Sequence, residues 1–188
     1  MVSMKLSKIS NALVLASLLG VGAAMLSSSP AHAGSAPANL SVTASVSANC
    51  TISTTAVAFG AYDPVVANAS TALNASGSVS IACTKGSAPN ITMDLGANAS
   101  GSQRNMLVTG GGTDVLAYQL YQPPNTTPGT ACTFPGSTVW GTSVATTFTP
   151  TAPSSKAARS YSVCGTVAAG QDVSVGSYQD TVVATVNF

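Results

Sequence analysis

A chain of 188 residues with a formal net charge of +1 and only 6% charged side chains offers no basic stripe for nucleic acid. Its 45% hydrophobic content excludes a solvated, disordered polymer. A single His and no Glu leave little for acid–base chemistry.

The first 33 residues read as an export signal. Lys5 and Lys8 form a positive start, Ile9 to Leu26 an apolar Ala/Leu-rich run, and Ala31-His32-Ala33 a small-x-small cleavage site. Cleavage before Gly34 takes 33 of the 188 residues and leaves 155, enough for one domain with one core. A membrane anchor is the competing reading, disfavoured by Ser27 to Pro30 and the cleavage motif. The mature chain keeps four cations (Lys85, Arg104, Lys156, Arg159) against five Asp, a net charge of −1. The only His leaves with the signal, so no Ser-His-Asp triad, Cys-His pair or His-ligated metal site can form. The five Asp are scattered, and Asp63 and Asp172 adjoin turn signals. The expectation is a protein that is not an enzyme, with no cofactor, no metal, no nucleic acid and no small-molecule substrate.

Asn39 to Ile52 alternates strictly. Leu40, Val42, Ala44, Val46, Ala48, Cys50 and Ile52 share one face, and Ser, Thr and Asn the other. Thirteen residues at ~3.3 Å each reach roughly 43 Å, well beyond a usual strand of about five or six residues. Either the strand bends into two, or one half is buried outside its own domain. Val57 and Phe59 carry the pattern on to Gly60, and Tyr62-Asp63-Pro64 turns the chain. Val65 to Asn74 reads as a loop or short edge strand.

Gly77 to Thr84 alternates again with Val79, Ile81 and Cys83 on one face, and Lys85-Gly86-Ser87 is a turn. Asn90 to Leu95 puts Ile91, Met93 and Leu95 inward. Asn105 to Thr109 is a short strand before Gly110-Gly111-Gly112, which reads as a hairpin reversal because no Lys-Ser/Thr or helix follows to make it a phosphate loop. Asp114 to Tyr121 is the strongest interior strand, ended by Pro123-Pro124. Cys132 to Gly141 holds the sole Trp, Trp140, expected as a core filler, with a sugar-stacking platform as the sharper alternative. Thr146 to Thr149 is a short strand, Arg159 to Val167 a longer one, and Ser177 to Phe188 the last, with Tyr178, Val182, Ala184, Val186 and Phe188 on one face.

Many short strands with turns every eight to twelve residues, and no 3.6-residue period after the signal, indicate an all-β sandwich. Four cysteines in an exported chain read as two disulfides, with three possible connectivities. The favoured pairing is Cys50 with Cys83 and Cys132 with Cys164, each closing a loop of about thirty residues and worth ~2–4 kcal/mol. Zinc is discounted because there is no Cys-x-x-Cys and no mature His. An immunoglobulin-like order expects one more strand beside the last one. The surplus strand lies at the other end, in Leu40 to Ala48, able to pair in its own domain or in a neighbour's.

The run Gly-Ser-Tyr-Gln-Asp-Thr-Val-Val-Ala-Thr-Val-Asn-Phe from Gly176 to Phe188 resembles the C-terminal signature of the spore coat U domain family, which includes the subunits of archaic chaperone–usher pili. Asn49-Cys50-Thr51-Ile52, Ile81-Ala82-Cys83, Leu116 to Tyr121, Val139-Trp140-Gly141 and Val167 to Gln171 agree, and together the pieces cover the mature chain. The second cysteine pair is not expected in every member. The resemblance implies an incomplete immunoglobulin-like β-sandwich with an N-terminal donor strand: signal 1–33, donor segment 34–48, sandwich 49–188. It implies donor-strand exchange, in which a periplasmic chaperone lends the missing strand and, at an outer-membrane usher, the next subunit replaces it. Carried onto this chain, Leu40, Val42, Ala44 and Val46 are the donor side chains. Ile52, Val57, Phe59, Val182, Ala184, Val186 and Phe188 wall the acceptor groove. The implied protein is a shaft subunit of a surface fimbria supporting adhesion and biofilm formation, a homopolymer or a fibre with sister pilins. The alternatives are a secreted spore or cell-surface coat protein, and a monomeric carbohydrate-binding sandwich using Trp140 and Tyr121.

Overall fold

A computed structural model describes residues 33–188; the expected signal lies outside them apart from Ala33. The chain divides into two units, Met1–Thr43 and Ala44–Phe188. In the first, residues 33–43 are exposed and carry no strand.

The second unit is all-β, with eight strands and no helix among its described residues: β1 Cys50–Thr55, β2 Leu73–Cys83, β3 Asn90–Met93, β4 Arg104–Val108, β5 Val115–Tyr121, β6 Arg159–Val167, β7 Tyr178–Gln179 and β8 Ala184–Asn187. A six-stranded antiparallel sheet runs in the order β1-β2-β6-β5-β4-β7, and β3 and β8 form a second, two-stranded sheet. Between the two sheets lies one core of Val79, Ile81, Ile91, Met93, Leu116, Tyr118, Leu120, Trp140, Phe148, Tyr161, Val163 and Val167.

The alternation in the sequence dictates most of this. Leu116, Tyr118 and Leu120 of β5 are buried, and Val115 stands 42% exposed on the other face. On β2 the inward set is Val79, Ile81 and Cys83. That strand begins at Leu73, earlier than Gly77, because Leu73 to Ser76 pair with β6 up to Val167. Polar Asn74 and Ser76 hide that part of the strand from a propensity reading.

Of the two readings left open for the long alternating run, the ladder takes only its end: pairing begins at Cys50 opposite Cys83, and Leu40, Val42 and Val46 are 87%, 86% and 85% exposed. Other expectations need correction. Ladder pairing of β1 also stops at Thr55 opposite Ser78, so Val57 and Phe59 are not in the strand, although they stay half-buried against the core. Gly77 permits the close approach at this point: a Cβ there would come within 3 Å of the backbone at Thr55 and Ala56. Beyond this point the chain lies over Gly165, where a Cβ would meet Val57 at 2.6 Å and Phe59 at 2.7 Å. Leu95, expected inward, is 37% exposed beyond the end of β3.

The last strand is not continuous. β7 pairs with β4 in the large sheet, β8 pairs with β3 in the small one, and residues 180–183 belong to neither. The alternation is real, but Asp180 interrupts it. Its carboxylate accepts from the backbone of the 96–98 loop, and the main chain that follows leaves β4 for the small-sheet side, Thr181 O accepting the Ala97 amide and Val183 O the Asp94 amide, both at 3.1 Å.

Cys50 is bonded to Cys83 and Cys132 to Cys164, the sequential pairing. The first bridge staples β1 to β2 at the start of their register. The second ties the long β5–β6 connection to β6.

Candidate functional site: an open groove between two sheet edges

The strands β1 and β7 are the two ends of the six-stranded sheet and are not paired with each other. Counting through five antiparallel pairings, they run in opposite directions. The segment after β1 and the segment from β7 to β8 therefore face each other with open edges. Between them lies a groove with two adjoining cavities of about 400 and 640 Å³, both lined by Val57, Phe59, Met106 and Tyr178.

One wall of the smaller cavity is Thr54 to Val57 with Phe59, and the other is Tyr178 to Val182 with Ala184. Its floor is Met93, Met106, Tyr118, Leu120 and Val163, drawn from β3, β4, β5 and β6. The larger cavity continues past Tyr62 and Pro64 toward Val173 and Gly176. The floor is the domain's own core seen from one side. In a closed sandwich those side chains would be covered by one more strand.

Asp180 fixes the C-terminal wall. Its Oδ1 accepts from the Ala97 amide at 2.9 Å, the Asn98 amide at 3.2 Å and Asn98 Nδ2 at 3.0 Å, and its Oδ2 accepts from the Tyr118 hydroxyl at 2.6 Å. The carboxylate fills the space beside Gly96, which has φ of +84° and leaves no room for a Cβ. Asp94 does the same a little further on, accepting the Val183 amide at 2.9 Å. Two carboxylates thus hold 180–183 where the ladder is broken. Burial, then the Asp180 hydrogen bond and negative charge, push the Tyr118 phenol well above its ordinary value.

Below the wall Arg104 is fully buried and satisfied by carbonyls. Its Nε donates to Asp94 O at 3.0 Å, and its terminal nitrogens donate to Trp140 O at 2.7 Å, to Met93 O at 3.3 Å and to Gln119 Oε1. Burial pulls its pKa down, against the opposing pull of Tyr118, Asp94 and Asp180. Arg104 was invisible as a core residue in the sequence, since nothing in its neighbours marks a buried cation.

Of the residues named from the sequence as groove walls, Val57, Phe59, Val182 and Ala184 line the cavities. Ile52 and Val186 are half-buried against the core but outside both linings. Phe188 is 54% exposed and outside them too, because β8 has by then moved along the small sheet with β3. The floor residues were missed. They sit on four strands, and only the topology brings them together.

Trp140 is not a sugar platform. It is fully buried, its Nε1 donates to Ile91 O at 2.9 Å, and its ring packs against Phe148 at 5.2 Å between centroids. Tyr121 is half-buried, its ring lying against Gly136. Among the described residues there is no cluster of His, Cys, Asp or Glu able to hold a metal ion.

Comparison with known proteins agrees with this architecture. Residues 36–185 match the Spore Coat Protein U domain. The chain is 36% identical over 183 residues to "Protein U" of Myxococcus xanthus, covering 88% of this chain and 92% of that one. Among solved structures, it is similar to a chain in the CsuC–CsuE chaperone–tip adhesion subunit pre-assembly complex of the archaic chaperone–usher Csu pili of Acinetobacter baumannii. That likeness has a TM-score of 0.52 and 20% identity, and spans 76% of this chain and 40% of the other. A weaker likeness, at a TM-score of 0.35 and 15% identity, is to the E. coli Hda pilus minor tip subunit HdaB. The family match spans most of the chain, and the chain belongs to the Spore Coat Protein U domain family.

Proposed function

We propose that this chain is an exported structural subunit that polymerises by donor-strand exchange into a surface fimbria. The observation that carries the reading is the open apolar groove between residues 54–59 and 178–184. An unpaired edge beside half-buried apolar walls, over a cavity floored by core side chains, is a template for β-augmentation. The chain also carries the matching piece: Leu40, Val42, Ala44 and Val46 alternate as a strand does and are exposed. Burying Leu40, Val42 and Val46 at ~1.5–3 kcal/mol each gives roughly 5–9 kcal/mol before ordering costs. That is comparable with the whole stability of a small domain.

During export the groove is filled by a strand from a periplasmic chaperone. At an outer-membrane usher the Leu40–Val46 segment of the following copy, or of a sister pilin, takes its place. A head-to-tail contact of this kind does not close, so it produces a filament. The fold likeness to a subunit of a chaperone–subunit complex supports a chaperone as the first partner. Adhesion and biofilm formation are the roles such a fibre serves. The chain has no catalytic part in this.

The family name and the match along 92% of "Protein U" favour a second reading. In it the same groove and donor segment build a spore or cell-surface coat without an usher. Deleting Gly34 to Ala48 tests the shared step: the variant domain is exported but forms no detergent-resistant ladder on a gel, while the intact chain does. An unchanged ladder overturns both readings. Disrupting the usher separates them, since only the fimbria depends on it.

A further inference from the structure

The place where the donor segment joins its own domain is built in an unusual way. Asn49 lies opposite Thr84, one step beyond the Cys50–Cys83 pair. The Thr84 amide donates to Asn49 O at 2.8 Å, as a ladder would have it. The return bond is not to the Thr84 carbonyl. That oxygen is taken by the Ser87 amide at 3.1 Å and the Ser87 hydroxyl at 2.8 Å, in the turn that ends β2. The Asn49 amide instead donates to the Thr84 hydroxyl at 3.0 Å, and that hydroxyl lies 3.3 Å from two carbonyls, those of Ser47 and of Asn49 itself. One side chain therefore accepts from the Asn49 amide and holds a single proton between two carbonyls; Asn49 O already takes the Thr84 amide, which leaves Ser47 O as the acceptor for the hydroxyl.

We propose that Thr84 is a positioning residue for strand exchange: it ends the in-domain ladder at Asn49, fixes Ser47 to its own domain, and so sets Val46 as the last residue free to enter another copy. This inference rests on the donor-strand reading and adds its register. From Val46 to Cys50 is four residue steps, at most about 14 Å of extended chain. Successive domains therefore abut, with no flexible linker between them, and the Thr84 hydroxyl holds the direction in which the donor leaves. The Cys50–Cys83 bridge beside it keeps the root from fraying back along β1.

The test compares Thr84→Val, which keeps the shape and removes the hydroxyl, with Thr84→Ser, which keeps the hydroxyl. In the intact mature chain, amide hydrogen exchange at Asn49 is slow in wild type and Thr84→Ser and fast in Thr84→Val. In fibres imaged by electron microscopy, Thr84→Val still polymerises, but the spread of angles between neighbouring domains widens about twofold, as a loosened joint does. Thr84→Ser keeps the wild-type spread. Exchange at Asn49 in wild type as fast as at Leu40, or Thr84→Val fibres with the wild-type angular spread, overturns the assignment. Failure of the wild type to polymerise overturns strand exchange itself, and the hydrogen-exchange arm still decides whether Thr84 holds Ser47 and Asn49.

Discussion

Tyr118 donates its hydroxyl to Asp180 Oδ2 at 2.6 Å, joining the floor of the groove on β5 to the wall at the break between β7 and β8. The same carboxylate gathers three N–H donors from Ala97 and Asn98. The pair makes the groove a formed site with a fixed wall. It also gives the free domain a dependence on pH.

The phenol of Tyr118 is raised by burial first and by Asp180 second. A group whose folded value lies above its unfolded value stabilises the fold fully below the unfolded value and loses that contribution as pH rises toward the folded one. Unfolded tyrosine ionises near pH ~10. Stability should therefore be flat in this respect through neutral pH and fall above about pH 10. Thermal melts of wild type and Tyr118→Phe as a function of pH check this. The phenylalanine variant should lose less stability between about pH 10 and 11 than the wild type.

Asp180→Asn keeps the shape of the wall but weakens the acceptor. Charge-assisted hydrogen bonds are worth roughly 1.5–3 kcal/mol, about twice a neutral one. The expected result is a loss of about 1–3 kcal/mol in chemical denaturation, together with faster amide exchange at Ala97 and Asn98. Asp180→Ala should cost more, since it leaves the Tyr118 hydroxyl without its partner.

Met106 lines both cavities and is only half-buried. Met106→Lys should therefore change the free domain by less than about 1 kcal/mol, because a long stem can keep its charge in the open groove. Once a strand covers the groove, that charge has no exit. Polymer yield should fall at least about tenfold, the equivalent of 1.4 kcal/mol, as read from the gel ladder. A normal ladder would mean that the floor is not what the donor covers.

Gly165 makes room for Val57 and Phe59. Gly165→Val should push that segment outward, at a cost of about 1–3 kcal/mol by overpacking, and narrow the groove. Gly165→Ala is the milder form, and the two should rank in that order in both melting temperature and polymer yield.

Most of the strands were legible because their alternation coincides with a buried face. Asp114 to Tyr121 and Arg159 to Val167 appear in the structure within a residue of the expected bounds. The all-β class follows from the same period of two, whereas Val57, Phe59, Val182 and Ala184, which line the cavity, were named as walls only through the family resemblance. The floor was not legible, because Met93, Met106, Tyr118, Leu120 and Val163 are neighbours only across four strands. Nor was the break at Asp180. Its run alternates on both sides, and only the 96–98 loop, about eighty residues away in sequence, explains why the ladder stops there. At the other end, Leu40 to Val46 alternates as well as any strand in the chain, yet its side chains are exposed. Period reports what a segment can cover, not where the covering partner lies.

The central claim is that the groove is filled by the leading segment of another copy. The most direct measurement is a titration of the mature domain lacking residues 34–48 with a synthetic peptide of residues 36–49, followed by thermal unfolding. The account predicts a saturable rise in melting temperature of at least about 5 °C, given ~2–4 °C for each kcal/mol in a domain of this size, and none with a peptide carrying Leu40→Asp and Val42→Asp. A domain that melts at the same temperature with and without the native peptide, as a stable monomer, would contradict it.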